Sequence, residues 1–325
     1  MNNPRVLSLG EILFDCLADQ LGLKLEEVKS WTLYPGGASA NVACALVKLG
    51  TSAGFIGAVG KDEPGNALVE LLQEVGVDTT GVQFHDTAPT RQIYVLRDVG
   101  GDRSFAGFVE YDTTEFADTR LQAQQLPPKL FEDADFFVLG TLELAYPESE
   151  QAIYRALDLA EHYDLKIVLD VNWRPVFWQN ADIAKQKILS LLPRFDFLKL
   201  TKEEAQWLFD THDPGAINYR LNSLDGVLVT DGENGCAYCL GENEGKLPAF
   251  VMPVVDTTGA GDSFLAGFIH QLSQHGIQCL NDAQTAKQIV TYASAVGALT
   301  TIKPGAIASQ PTAAEVDAFL ASHQL

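Results

Sequence analysis

The chain has 325 residues, 46% of them hydrophobic and 20% charged, with 27 Gly and 14 Pro. That is enough apolar material for one large α/β domain or two modest ones, and it argues against disorder. Its 22 Lys and Arg against 43 Asp and Glu leave a formal net charge of −21, a balance that repels nucleic acid and anionic lipid and excludes them as expected partners.

From the first residues no secretion signal is expected, because Glu11 and Asp15 interrupt the apolar stretch that follows Met1-Asn2-Asn3-Pro4-Arg5. Apolar runs at 6–9, 53–59, 136–139, 166–169, 197–200, 226–230 and 250–255 predict core strands. Helical spacing predicts helices over 40–49, 66–75, 148–163, 185–192, 202–209 and 263–274. This alternation is the signature of βαβ units and a mainly parallel sheet. Without a linker-like segment, residues 1–325 read as one domain. Two stretches, about 12–34 and 91–112, alternate like strands with no helix between them, and Asp98-Val99-Gly100-Gly101-Asp102 suits a hairpin turn. They predict a small separate sheet, either a lid over a site or an edge excursion. The uncharged run 288–302 is shorter than the ~20 apolar residues of a membrane span, so none is expected. Five cysteines suit a reducing cytoplasm better than a disulfide framework, and Cys236-Ala-Tyr-Cys239 is a lone CxxC in an apparent strand, read as structural. His270 and His275, five residues apart, lack helical ligand spacing and read as solvated or helix-end residues.

Pro35-Gly36-Gly37-Ala38-Ser39-Ala40-Asn41 opens a helix. Gly36 and Gly37 permit close approach to a ligand or to another backbone, and the Asn41 amide suits sugar hydroxyls. The strongest local signal is Asp256-Thr257-Thr258-Gly259-Ala260-Gly261-Asp262-Ser263-Phe264. Small residues at a helix start leave backbone N–H groups open to an anion, aided by the helix dipole. A carboxylate there, Asp262, either caps the helix or accepts a proton from an attacking hydroxyl. No GxxxxGK[ST] occurs, and the first predicted strand runs into Gly10-Glu11-Ile12 in place of a GxGxxG turn, which removes P-loop and Rossmann readings. Arg174, between Trp173 and Trp178, either lines a substrate or phosphate route or stacks structurally; Arg91, entering the small sheet, is a candidate substrate contact.

Together these segments resemble the PfkB carbohydrate kinase (ribokinase-like) family over nearly the whole chain. The resemblance rests on residues 10–15, Gly36 to Ala43, Phe55 to Gly60 with Asp62, Asp256 to Asp262, Gly297 to Thr301, and Lys303-Pro304-Gly305-Ala306. Gly10-Glu11-Ile12-Leu13 and Asp170-Val171-Asn172-Trp173-Arg174 make it most similar to fructokinases. It implies a three-layer α/β/α fold with a β-sheet lid, and transfer of the ATP γ-phosphate to a primary sugar hydroxyl, most simply of fructose. Asp262 would be the base and Gly259, Ala260 and Gly261 the anion hole. Asp15, Gly36, Gly37 and Asn41 would hold sugar hydroxyls. Thr230, Gly232, Gly235 and Ser294 would lie at the nucleotide, and Glu204 would order the Mg²⁺ shell. Asp256, Thr258, Thr300, Lys303, Gly305 and Ser309 would form a monovalent-cation loop for K⁺. Thr201 replaces the family's asparagine before that glutamate, Ser294 stands for an adenine-side asparagine, and residues 105–118 lack the fructokinase Arg-Asn-Pro-Ser-Ala-Asp stretch. Another sugar, 2-keto-3-deoxygluconate, a nucleoside, or a silent regulatory relative therefore stay open as alternatives. A homodimer pairing the lid sheets is a further expectation, since sheet edges seek cover. Between residues 250 and 303 the only cations are Lys287 and Lys303, so the anion cradle is expected to depend on backbone amides, the helix dipole and metal ions.

Overall fold

In the computed structural model, which describes residues 4–98, 103–108, 111–222 and 224–323, the alternating apolar runs form a nine-stranded sheet with helices on both faces. Its strands are β1 (Val6–Leu9), β4 (Ala53–Gly60), β5 (Asp78–His85), β8 (Phe136–Leu139), β9 (Lys166–Asp170), β10 (Phe197–Thr201), β11 (Gly226–Thr230), β12 (Cys236–Leu240) and β13 (Asn243–Leu247). They lie in the order β13-β12-β11-β10-β9-β8-β1-β4-β5, parallel from β11 to β5 and closed by the antiparallel pair β12 and β13. Strands buried on both faces are apolar at successive positions, as in Phe136–Leu139, where every residue is buried.

The second sheet contains β2 (Leu13–Ala18), β3 (Trp31–Gly36), β6 (Gln92–Arg97) and β7 (Arg103–Gly107), ordered β3-β2-β6-β7. This is the separate sheet expected from 12–34 and 91–112. Strands β6 and β7 are antiparallel, and the hairpin turn expected at 98–102 lies outside the described residues beyond Asp98. The principal helices are α1 (Ala38–Lys48), α2 (Glu63–Val75), α3 (Pro147–His162), α4 (Ala181–Leu191), α5 (Lys202–Phe209), α6 (Pro214–Leu221), α7 (Ala260–His275) and α8 (Ala283–Thr300). Helices α1 and α7 cover one sheet face in a core that includes Leu46, Phe55, Phe197 and Phe268; α3 covers the other with Leu139, Ile153 and Leu157. No helix among the described residues is long and apolar enough to cross a membrane.

Two expectations change. Residues 250–255 form no strand: Pro248 and Pro253 have no N–H to give a ladder, and Val251, Val254 and Val255 are exposed. His270 is not solvated, being buried with Nδ1 2.8 Å from Thr51 Oγ1 and its ring stacked on Tyr292. All five cysteines are free.

Candidate active site

A cleft of about 1520 Å³ opens where the parallel strands end. Its lining includes Glu11 after β1, Leu142 after β8, Asn172 after β9, Thr201 of β10 and Thr230 of β11, the carboxyl edge at which open α/β sheets collect ligands. Leu13, Asp15, Ile93 and Phe105 of the small sheet wall the opposite side, so that sheet covers the cleft and is no stray edge.

Gly259 precedes α7 with φ of 78°, which turns the chain so that Ala260, Gly261 and Asp262 form the helix's first turn. Asp262 thereby points into the cleft, and Asn41, in the first turn of α1, donates from Nδ2 to Asp262 Oδ2 at 2.8 Å. Two helix starts 221 residues apart thus meet at one carboxylate. Burial pushes the Asp262 carboxyl above its ordinary value and the charge of Asp170 adds to this, while Lys199, Asn41 and Arg174 oppose it. A carboxylate of raised basicity, beside open amides and facing a cavity, can accept a proton from a bound hydroxyl. Gly259→Ala is expected to cost about 1–3 kcal/mol of stability and to impair turnover, since a Cβ there would lie 2.7 Å from Ala306 Cβ. Thermal unfolding together with steady-state rates checks this.

Gly37 has φ of 102°, and a Cβ on it would strike the Glu11 carbonyl at 2.4 Å. Gly36 does not line the cleft but leaves room for Asp15, whose Oδ2 lies 3.0 Å from where its Cβ would be. At the other end, Thr230, Gly232, Gly235 and Ser294 share one wall with residues 249–252. Glu204 closes a capping box at α5: Oε2 accepts from Thr201 N at 2.8 Å, and Oε1 accepts from Trp173 N at 2.7 Å. Burial raises its carboxyl, with Lys199 opposing. Among the described residues no cluster of three or more His, Cys, Asp or Glu could hold a metal by itself.

Asp256 stitches the loop behind the cradle. Its Oδ1 accepts from Thr258 N and Oγ1, and its Oδ2 accepts from Gly305 N at 2.9 Å. Ser309 Oγ donates back to the Gly305 carbonyl, and Thr300 Oγ1 to Val296. The oxygen donors of Asp256, Thr258 and Ser309 fit a hard monovalent cation in kind. Thr300, Lys303, Gly305 and Ser309 stand behind the cleft and do not line it.

Arg91 requires a correction. Its side chain is fully buried, with Nε and Nη2 donating to Asp118 at 2.6 and 2.8 Å. The guanidinium lies 4.5 Å from the Phe116 ring centre and 4.9 Å from that of Phe177. It is outside the cleft lining and holds the small sheet's base to the body. Arg174 does line the cleft and is exposed, while Trp173 stacks on Trp207 at 4.0 Å.

The expectation of a cradle without cationic side chains is also corrected. Lys199, from β10, lines the cleft, and a Cβ on Gly261 would lie 3.1 Å from its Nζ. Its partner Asp170 is its neighbour in the β9–β10 register, at 2.9 and 3.0 Å. A lysine inside the apolar strand Phe197–Thr201 was the available signal, because a buried ammonium demands a partner. Glu11 was also missed: its Oε1 accepts from Ala38 N at 2.6 Å, and burial raises it to about 7. Both Glu143 oxygens are buried without a protein partner, and burial with the Glu11 charge raises that carboxyl well above its ordinary value.

Residues 3–313 match the pattern of the pfkB family of carbohydrate kinases. The chain is 33% identical to a protein named probable fructokinase-5 from Arabidopsis thaliana over 99% of this chain and 98% of that one. It is 33% identical to fructokinase-1 of Zea mays, covering 96% of each. Among solved structures, a fructokinase with bound ATP from Xylella fastidiosa superposes with a TM-score of 0.89 at 27% identity, covering 98% of this chain and 99% of that one.

Proposed function

Since the chain belongs to the pfkB family of carbohydrate kinases, we propose that it transfers the γ-phosphate of ATP to a primary hydroxyl of fructose. The observation that carries this reading is Asp262, held by Asn41 at the head of an open amide cradle in the cleft. The sugar hydroxyl lies between Asp262 and the cradle, with Asp15, Gly37 and Asn41 orienting its neighbours. As the hydroxyl oxygen attacks the γ-phosphorus, its proton passes to Asp262. The bond to the bridging oxygen breaks, and its electron pair leaves with ADP. The amides of Gly259 and Gly261 receive the phosphoryl charge without reorganising, while Ala260 N donates to the Thr257 carbonyl and shapes the turn. Thr230, Gly232, Gly235 and Ser294 line the nucleotide end. Glu204 would position hydrated Mg²⁺, which when bound neutralises phosphate charge. Asp256, Thr258 and Ser309, with the backbone of Thr300, Lys303 and Gly305, would hold K⁺ behind the cradle.

Charge favours a neutral sugar over a sugar acid. The small-sheet side presents Asp15 and the end of β1 presents Glu11, while Arg91, at the base of that sheet, is committed to Asp118. ADP release coupled to NADH oxidation tests the reading: fructose drives it, and 2-keto-3-deoxygluconate, ribose and nucleosides do so at least about tenfold less well in kcat/KM. Absence of ADP release with every acceptor would remove it. Divalent chelation is expected to abolish turnover reversibly, as the lining carries seven carboxylates and two cationic side chains among the described residues. Restoration on adding Mg²⁺ is the measurement.

The free cysteines suit a reducing cytoplasm. The edge strands β3 and β7 expose Leu33 and Phe105, and a homodimer would cover them through the small sheets. Light scattering is expected to return twice the chain mass, falling to the monomer with Leu33→Glu.

A further inference from the structure

We propose that Lys199 is a further catalytic residue, whose ammonium forms the floor of the 259–261 cradle and donates to the phosphoryl group during its transfer. The inference rests on the phosphoryl-transfer reading above and adds a group to it.

Three observations converge. Lys199 is almost fully buried, yet it lines the cleft, unlike a lysine that only neutralises a core carboxylate. Its Nζ lies 3.1 Å from where a Gly261 side chain would begin, so the glycine leaves that ammonium open beneath the amides. Both hydrogen bonds made by Nζ go to one carboxylate, Asp170 Oδ1 and Oδ2. An ammonium has three donors, so a third is available to an anion seated in the cradle.

Electrostatics gives this donor a task. Asp262 and Glu204 both act on Lys199 through space, so the base and the proposed metal-side carboxylate both feel its charge. Asp170, paired in register across the adjacent strand, fixes the side chain before substrate arrives, which suits a stabiliser that must not reorganise during the reaction. In the step, the acceptor oxygen bonds to the γ-phosphorus and the bridging bond breaks toward ADP. The hydroxyl proton goes to Asp262. Lys199 keeps all its protons and donates to a non-bridging oxygen as charge accumulates there. Arg174, exposed at the rim, lacks this fixed position.

The test uses the full-length protein, after the unsubstituted chain has shown sugar-dependent ADP release; absence of that release would defeat the parent reading and not this one. Lys199→Met is compared with Lys199→Met/Asp170→Asn, in which the carboxylate that Lys199 bonds is removed with it. In the folded double variant kcat is expected to fall about 10²–10³-fold, with the KM for sugar and the calorimetric Kd for ATP both within about threefold of the starting values. Methylammonium is expected to restore turnover of Lys199→Ala in proportion to its concentration. Wild-type kcat in the folded double variant would overturn the proposal, as would a loss confined to KM and ATP affinity, which would make Lys199 a ground-state binding group.

Discussion

Asp262→Asn is expected to lower kcat by about 10²–10⁴-fold, the range a positioned general base contributes, while ATP binding persists. The substitution keeps shape and removes only proton affinity. Asn41 Nδ2 still faces an oxygen at the same position, and the helix start loses a negative charge worth about 0.3–1 kcal/mol, offset by relief of a carboxylate that burial disfavours. Folding is therefore preserved, and the loss reports chemistry. Rapid-quench measurement of sugar phosphate formed in a single turnover, alongside calorimetric ATP binding, separates the two. An unchanged single-turnover rate would assign proton acceptance elsewhere. The same base gives a pH signature. It must be ionised to act, and burial lifts its carboxyl above the ordinary value, so kcat/KM falls as pH drops through a point above the usual aspartate range. In Asp262→Asn that acid limb disappears.

Arg91→Met is expected to destabilise the fold by about 3–5 kcal/mol, the cost of stranding one member of a buried ion pair. Asp118 is 2% exposed and would lose its cationic partner, and Phe108, Phe116, Tyr146 and Phe177 are the rings that surround the lost guanidinium. The Tm falls by roughly 10 °C, and Arg91→Met/Asp118→Leu recovers much of it because an apolar pair suits that aromatic surround. Differential scanning calorimetry of both variants decides the matter. A sugar-binding arginine would behave differently, raising KM while leaving the Tm in place. Because the pair ties the small sheet to the loops after β8 and β9, the single variant also loosens that wall of the cleft.

Where function depends on contiguous residues, the sequence is direct. Residues 256–263 place the glycines and Asp262 on one helix start whatever surrounds them, because the turn and the exposed amides are local consequences of small residues before a helix. Strands 136–139 and 226–230 and helix 202–209 appear with their expected bounds, each having an apolar pattern that one period explains. Edge elements were less legible. Strand β13 reads Asn-Glu-Gly-Lys-Leu, with little apolar content to mark it. The helix α8 carries small and apolar residues on most sides, which blurs its period.

The chain's charge of −21 and its cradle motif were readable from composition and order alone, since counting charges and locating glycines needs no coordinates. What neutralises the cradle was not. Lys199 and Asp170 are separated by 29 residues and become a pair only when β9 and β10 align, and only the packing of α7 over that strand sets Gly261 beside the ammonium. Arg91 was decided in the same way: a cation entering the small sheet is a ligand or a pillar according to whether Asp118 returns to meet it. A sequence lists the charged groups and the local turns that can expose amides; the fold alone chooses which opposite charges share a low-dielectric interior, where pairing is compulsory.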